Sequence, residues 1–250
     1  MFLRILILSL VYSINSYAES SPKERELFTS SLEQTHLIEL FSTQSCSSCP
    51  PAQRQVSNLK GRKGLWEKFI PVVYHVDYWD YLGWKDPYSD AKYSNRQRRY
   101  VKEWDKTTAY TPMFVIDGYE RRSRSFKGIL SQGRAVGVLK AYNQGENYRV
   151  SFDPLTKIKK TYYLNYAVLG DGIATNITAG ENSGEVLKHD FLVLKFGVAP
   201  MKVESGVFQA TVNISKLDLL KAPMKNLVFW ITEGASLKPV QAVGGRLAAR

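Results

Sequence analysis

The chain contains two cysteines, Cys46 and Cys49, separated by two serines. A mostly apolar run of strand length, residues 37–41, precedes the pair, and a helix-compatible run follows from Ala52 to about Phe69. A Cys-x-x-Cys pair between a strand and a helix is typical of redox motifs. The start of a helix offers unpaired N–H groups and a positive dipole end, which favour the thiolate that attacks disulfides. We therefore predict that Cys46 is the nucleophile and that Cys49 resolves the mixed disulfide.

Two other roles for the cysteine pair remain open. The pair could form a static structural disulfide. With His75, at the end of the second predicted strand, it could instead form a soft site suited to Cu(I). Closed zinc coordination is disfavoured because the three histidines, His36, His75 and His189, are scattered along the sequence. Disulfide exchange requires no cofactor, but without a third cysteine a separate protein or small thiol must reset the pair.

Two further residues are candidates for acid–base work near the sulfurs. Glu39 interrupts the first apolar strand, and a carboxylate buried behind the cysteines could relay protons. His75 could serve the same purpose. The three aspartates of the aromatic segment 77–87 have the spacing of residues that order a loop through bonds to the backbone.

The first 18 residues have the pattern of a secretory signal. Arg4 supplies a positive charge, an apolar run follows from Ile5 to Tyr12, and small residues stand near Ala18. No later apolar stretch approaches the roughly 20 residues that span a bilayer. We therefore expect a periplasmic or secreted protein without a transmembrane helix after signal cleavage, working where disulfides persist.

The chain is strongly basic, with 34 Lys and Arg against 23 Asp and Glu and a formal net charge of +11. Basic residues concentrate between residues 92 and 106 and between residues 121 and 127. In an exported protein this charge suits an anionic envelope surface or acidic proteins. Nucleic acid is not expected as a partner because no nucleic-acid-binding motif occurs.

Patterning divides the mature chain near residue 145. A polar linker is expected over residues 19–32. Alternating strands and helices are expected in the first half: strands over 35–42, 70–76 and 112–116, helices over 52–69 with a break at 61–64, over 89–104 and over 128–143. Beyond residue 145, short runs rich in Val, Tyr, Phe and Thr are separated by turn signals, which is typical of an antiparallel β sandwich.

Several long motifs carry a resemblance to a known family. They are LFSTQSCSSCPPA at 40–52, YHVDYWDYLGWKDP at 74–87, YTPMFVIDG at 110–118, GENSG at 180–184 and the glycine pair at 244–245. The chain resembles the secreted bacterial family known as domain of unknown function 1223, which is thioredoxin-like and has no established activity. The resemblance implies an α/β thioredoxin-like domain over residues 33–145, followed by an antiparallel β-rich domain over residues 146–250.

The same resemblance implies a role for Thr111 and Pro112. This step is similar to the cis-proline that faces the cysteine pair in thioredoxins, where the preceding residue positions a substrate strand. The leading hypothesis is an extracytoplasmic thiol–disulfide oxidoreductase that acts on envelope or secreted proteins through Cys46 and Cys49. The alternatives are a copper-binding protein using Cys46, Cys49 and His75, and a non-catalytic interaction protein with a structural disulfide.

Overall fold

The computed structural model describes residues 24–122, 126, 133–156 and 160–248. The predicted signal segment 1–18 therefore lies outside the described residues. The elements of the first half are β1 (Arg25–Thr29), β2 (His36–Ser42), α1 (Cys49–Ser57), β3 (Phe69–His75), α2 (Ala91–Glu103), β4 (Met113–Ile116) and β5 (Tyr119–Arg121). The strands that follow are β6 (Gly137–Gln144), β7 (Asn147–Pro154), β8 (Tyr162–Asp171), β9 (Ile173–Asn176), β10 (Val186–His189), β11 (Leu192–Pro200), β12 (Lys202–Glu204), β13 (Val207–Asn213), β14 (Met224–Glu233) and β15 (Pro239–Arg246). Across these described ranges, no helix combines the length and the apolar character needed to cross a membrane.

The largest element is a mixed eight-stranded sheet with the order β15-β14-β8-β11-β3-β2-β4-β5. Strand β3 pairs in parallel with β2 on one side and with β11 on the other, through Leu192 and Val73. The other strand pairs of this sheet are antiparallel. Strands from before and after residue 145 therefore share one continuous hydrogen-bonded sheet.

The expected fold class, an α/β thioredoxin-like domain followed by a β-rich domain, is wrong. The described residues are dominated by strands arranged in several sheets, with two α-helices. The strands expected to form an α/β domain of their own extend directly into β11, β8, β14 and β15. The physical reason is that β3 pairs on both sides, so its outer edge is covered by a strand from the second half of the chain.

A second, five-stranded antiparallel sheet packs on one face of the first and has the order β1-β6-β7-β13-β12. Successive side chains of β14 point to opposite faces of the sheet, so this strand contributes to two hydrophobic clusters. Leu227, Phe229 and Ile231 join a cluster with the five-stranded sheet. Val228 and Trp230 join the larger cluster that includes the helices. The expected β-sandwich packing is present, but one of its sheets also carries the cysteine region.

The two helices lie on opposite faces of the eight-stranded sheet. In β2, Glu39 bonds to α2 through Arg96, and Ser42 bonds to α1 through Gln53. Residues three apart in a strand point to opposite faces, so the helices cover opposite sides. Helix α2 begins after Asp90, whose side chain accepts a hydrogen bond from the Lys92 N–H at 2.8 Å.

Most local predictions in the first half are confirmed, and the misses have clear causes. The predicted strands over 35–42 and 70–76 and the predicted helix over 89–104 correspond to β2, β3 and α2. No helix forms over 65–69, where β3 begins instead. Part of the expected linker forms β1, and residues 137–144 form β6 rather than a helix, because these two strands pair with each other. Residues 128–132 of that predicted helix lie outside the described residues.

A buried ion pair joins α2 to the sheet. Nε of Arg96 donates to Oε1 of Glu39 at 2.7 Å, and the Tyr100 hydroxyl donates to Oε2 of Glu39. Both charged side chains are almost fully buried. The guanidinium carbon of Arg96 lies between 5.4 and 5.6 Å from the ring centroids of Tyr74, Tyr100, Phe196 and Trp230. Cation–π contacts and the ion pair thus hold a helix of the first half against strands of the second.

Replacing Arg96 with methionine is expected to lower the free energy of unfolding by about 3–5 kcal/mol, because it leaves the Glu39 carboxylate buried and unpaired. Chemical denaturation of the reduced protein measures the change. The double variant Arg96→Met with Glu39→Gln should recover most of the loss. The control Lys102→Met, at an exposed position of the same helix, should change stability by no more than about 0.5 kcal/mol. A loss near the control value for Arg96→Met would refute this role of the pair.

Candidate functional site

The two cysteines lie at the beginning of α1, where the sequence predicted the helix start. Cys49 is the first residue of α1 and has no exposed surface, whereas Cys46 precedes the helix and is partly exposed. Pro50 and Pro51 occupy the first helical turn, where a missing N–H costs nothing. Both cysteines are free thiols. The pair therefore presents one accessible sulfur and one buried sulfur.

The two thiols have opposite pKa shifts. The pKa of Cys46 is lowered to about 5, chiefly because the Cys49 thiol donates a hydrogen bond to its sulfur, with further bonds from Ser48 and Thr111. The Ser48 hydroxyl lies 3.1 Å from the Cys46 sulfur. The pKa of Cys49 is raised far above its usual value by the hydrogen bond to Cys46, by burial and by the Cys46 charge. At neutral pH the accessible sulfur is thus a thiolate and the buried one a thiol.

Thr111, which the family resemblance implies faces the cysteines, interacts with both thiols. The Thr111–Pro112 peptide bond is cis. The Thr111 hydroxyl lowers the pKa of both thiols. It also accepts a bond from the indole Nε1 of Trp79 at 2.9 Å. Because the indole occupies a lone pair of this oxygen, the Thr111 hydrogen remains available to donate to a thiolate.

A buried polar loop, residues 42–45, connects β2 to Cys46. Ser42, Thr43, Gln44 and Ser45 expose 1% of their surface or less. Burying polar groups in this way is costly unless each one is hydrogen-bonded. The structure must therefore supply partners for the whole buried polar loop.

The aromatic segment 77–87 supplies several of these partners. Oδ2 of Asp86 accepts from the Gln44 N–H at 2.7 Å and from the Thr43 hydroxyl at 3.3 Å. The Trp84 indole donates to Oε1 of Gln44 at 3.0 Å, and its backbone oxygen accepts from the Ser45 hydroxyl at 2.7 Å. The prediction that the aspartates of this segment order a loop is confirmed for Asp86, which also accepts from the Tyr88 N–H.

A loop from the second half of the chain, residues 180–184, holds the other side of the cysteine region. The Asn182 side chain donates to the backbone oxygens of Gln44 at 2.8 Å and of Cys46 at 3.2 Å. The exposed Glu181 carboxylate accepts from the Ser47 N–H at 2.9 Å. Gly180 has φ +74, and a Cβ there would meet the backbone oxygen of Leu82 at 3.0 Å, so this close approach favours glycine.

His75 lies next to the cysteine region but is not placed to bind metal with it. Its Nδ1 is 2.7 Å from Oδ2 of Asp86, and its Nε2 is 2.9 Å from Nε2 of Gln53. Nε2 is therefore held by a hydrogen bond from Gln53, and Nδ1 faces the Asp86 carboxylate. Within the part of the chain that the structure describes, no group of three His, Cys, Asp or Glu side chains could hold a metal ion. The alternative copper site of Cys46, Cys49 and His75 is not supported.

Glu39 is not brought to the sulfurs. It lies on the opposite face of β2 from Ser42, paired with Arg96 and Tyr100. The geometry supports a structural role for this carboxylate and offers no path from it to Cys46 or Cys49.

Several residues of the site were not singled out from the sequence. Ser42, Gln53, Trp79 and Asn182 surround the cysteine pair. His189, on β10, is buried beside His75, with ring centroids 5.0 Å apart and a pKa lowered to about 3 by burial and by His75. Trp79 and Asn182 could have been found from the sequence, because they lie in the family-like motifs at 74–87 and 180–184.

An open groove reaches Ser47, the residue that follows Cys46. It lies between the first turns of α1 and the loop that joins β9 to β10, and its volume is about 560 Å³. Ser47, Pro50, Arg54, Asn182 and Lys188 are among its lining residues.

Comparisons with known proteins identify a family and a fold. The model of one family, described as a protein of unknown function (DUF1223), matches residues 37–232. The crystal structure of protein AGR_C_4864 from Agrobacterium tumefaciens is similar over 87% of this chain and 99% of that chain, with 21% identity and a TM-score of 0.62. HBP35 of Porphyromonas gingivalis is similar over 87% of this chain and 76% of that chain, with 14% identity and a TM-score of 0.55. At these identities the similarity concerns the fold alone. No curated protein matches the chain.

Alkylation of Cys46 by iodoacetamide is expected to follow its thiolate, with a rate that rises with pH through a midpoint near the pKa of about 5. Thr111→Val removes one donor to the thiolate and should raise that midpoint by roughly one pH unit. Thr108→Val, which removes an exposed hydroxyl from the same segment, should leave the midpoint unchanged. A midpoint for the unmodified protein near the usual cysteine value of about 8.5 would contradict the assignment.

Proposed function

The chain belongs to the family described as a protein of unknown function (DUF1223), and we propose that it is a thiol–disulfide oxidoreductase acting through Cys46 and Cys49. The observation that carries this proposal is the asymmetry of the two sulfurs. Cys46 is partly exposed with a lowered pKa, and Cys49 is fully buried with a raised pKa. A reactive cysteine requires a stabilised thiolate and access, whereas a structural cysteine is buried and inert.

The proposed reaction has two balanced exchange steps. A thiolate of the substrate attacks the Cys46 sulfur of a Cys46–Cys49 disulfide, and the electron pair of that bond leaves on Cys49, which takes a proton. A second substrate thiolate then attacks the substrate sulfur of the mixed disulfide and releases Cys46 as a thiolate. The substrate dithiol is oxidised and the cysteine pair is reduced.

The pKa of Cys46 supports this direction of transfer. Stabilising the thiolate stabilises the reduced form, which makes the pair a better oxidant. Because the folded pKa is depressed, this stabilisation is complete above the unfolded pKa of about 8.5 and is lost as the pH falls through about 5. At neutral pH the pair therefore favours oxidation of a substrate dithiol. A disulfide of a separate redox protein, or a small disulfide, must oxidise the pair again.

We propose a protein dithiol as the substrate. The groove that Ser47 lines is open to an extended chain and starts at the residue after Cys46. Tyr81 is 75% exposed, and its ring centroid lies 6.1 Å from that of Trp79, the partner of Thr111. These features suit contacts with a polypeptide better than with a small thiol.

The proposed place of action is the periplasm or the extracellular space. This proposal rests on the signal-like composition of residues 1–18 and on the need for a compartment where disulfides persist. The exposed basic side chains of α2 and its C-terminal end suit contact with an anionic envelope surface. They are Lys92, Arg98, Arg99, Lys102 and Lys106.

Cys49→Ser is expected to trap a mixed disulfide on Cys46 when the reduced protein meets oxidised glutathione, because no resolving thiol remains. Cys46→Ser should form no adduct, since Cys49 is buried. Mass spectrometry after acid quenching detects the adduct. Equal adduct formation by both variants would mean that the two sulfurs do not have distinct roles.

The reduction potential of the pair provides a second test. Equilibration with glutathione buffers should give a value well above about −300 mV, the range below which structural disulfides lie. Thr111→Val, which weakens the Cys46 thiolate, should make the pair less oxidising, whereas the exposed control Thr108→Val should not. A potential below about −300 mV would assign the pair a structural role.

A further inference from the structure

A line of buried side chains leads from Cys49 away from the substrate side. Interaction with the Ser42 hydroxyl lowers the pKa of the Cys49 thiol, against the larger effects that raise it. Nε2 of Gln53 donates to Oγ of Ser42 at 2.7 Å and to Nε2 of His75 at 2.9 Å. Nδ1 of His75 lies 2.7 Å from Oδ2 of Asp86. Ser42, His75 and Asp86 expose 1% of their surface or less, and Gln53 exposes 5%.

The direction of donation along this line follows from the Gln53 side chain. Its amide nitrogen faces both Nε2 of His75 and Oγ of Ser42, and an amide nitrogen only donates. Nε2 of His75 is therefore the acceptor of this bond, and Nδ1 faces the Asp86 carboxylate at 2.7 Å. Since Ser42 already accepts from Gln53, its own hydrogen is free to point at Cys49.

We propose that Asp86, His75, Gln53 and Ser42 form a positioning relay whose function is to direct the Ser42 hydroxyl at Cys49 and stabilise the Cys49 thiolate during disulfide exchange. This inference rests on the proposed function and assigns its buried sulfur a dedicated hydrogen-bond donor. No proton travels along the relay, because the Gln53 amide only donates. The relay orients one hydroxyl.

The need for such a donor arises when Cys46 is in a mixed disulfide. Resolution then requires the Cys49 thiol to lose its proton and attack the Cys46 sulfur. The new Cys46–Cys49 bond forms, and the electron pair of the broken bond leaves on the substrate sulfur, which takes a proton. In the opposite direction Cys49 leaves as the thiolate, so a donor to Cys49 assists both directions.

The causes of the Cys49 pKa shift are consistent with a donor that acts while Cys46 is in a mixed disulfide. The bond to Cys46 raises the pKa most, and the Cys46 charge also raises it, but both disappear when the Cys46 sulfur is covalently occupied. Burial remains as an opposing effect. The hydroxyls of Ser42 and Thr111 are the groups that lower the Cys49 pKa.

The titratable groups around the relay come from several elements. His189 of β10 and Tyr88 before α2 face the His75 ring, and Tyr78 interacts with both sulfurs. Burial raises the pKa of each tyrosine, and the pKa of His189 is lowered to about 3. These three groups stay uncharged near neutral pH, so a shifted pH profile there reports on the cysteines and the relay itself.

The kinetic test mixes reduced protein with oxidised glutathione and follows the mixed disulfide on Cys46 by acid quenching and mass spectrometry. Ser42→Ala should raise the Cys49 pKa by about one to two units and slow resolution of the mixed disulfide roughly three- to tenfold. The slowing is expected because the fraction of Cys49 present as thiolate falls more than the reactivity of each thiolate rises. Gln53→Glu, which can only accept from Ser42, should slow resolution similarly. Formation of the mixed disulfide should be unchanged.

Two control variants test whether the hydroxyl itself matters. Ser42→Thr keeps the hydroxyl and should restore resolution, and Ser94→Ala, which removes another buried hydroxyl, should have no effect.

A titration of Cys49 separates failure of the relay from failure of the exchange function. In a Cys46→Ala background, the ultraviolet absorbance of the Cys49 thiolate should show a higher midpoint with Ser42→Ala or Gln53→Glu, and no shift with Ser94→Ala. If Cys49→Ser never forms a glutathione adduct, the exchange function fails, while this titration still decides the relay. An unshifted midpoint together with resolution at the unmodified rate would overturn the relay.

Discussion

The structure depends on one constraint: the buried polar loop, residues 42–45, must find a hydrogen-bond partner for each of its polar groups. No single segment meets this need. The aromatic segment 77–87 contributes Asp86 and Trp84, helix α1 contributes Gln53, and the loop 180–184 contributes Asn182. The cysteine site is therefore assembled by both halves of the chain, and the eight-stranded sheet that joins them is a requirement of the site.

The same constraint explains the difference between the two sulfurs. The polar loop and Cys49 are both buried, while Cys46 is partly exposed and has donors in Ser48 and Thr111. On the opposite face of β2, the pair formed by Glu39 and Arg96 holds α2 in place. A single strand thus carries a residue that supports the cysteine site on one face and half of a buried ion pair on the other.

Local patterns predicted the elements around the site well. The strand before the cysteines, the helix start at Cys49 and the capped helix α2 follow from apolar runs, prolines and Asp90, all of which act over a few residues. Glu39 could not be assigned from its strand, because its partner Arg96 lies 57 positions away. Likewise, residues 137–144 are a strand because β1 and β7 pair with them, and an intrinsic preference does not reveal distant partners.

The sequence by itself determined which sulfurs could react, their spacing and the helix start that places them, because these properties are local and chemical. Only the tertiary structure decided that Cys49 is the enclosed sulfur, that His75 turns to Asp86 and Gln53 rather than to a metal, and that one sheet spans both halves. The physical reason is that burial and hydrogen-bond direction depend on residues far apart in the chain. They become defined only when those residues are packed together.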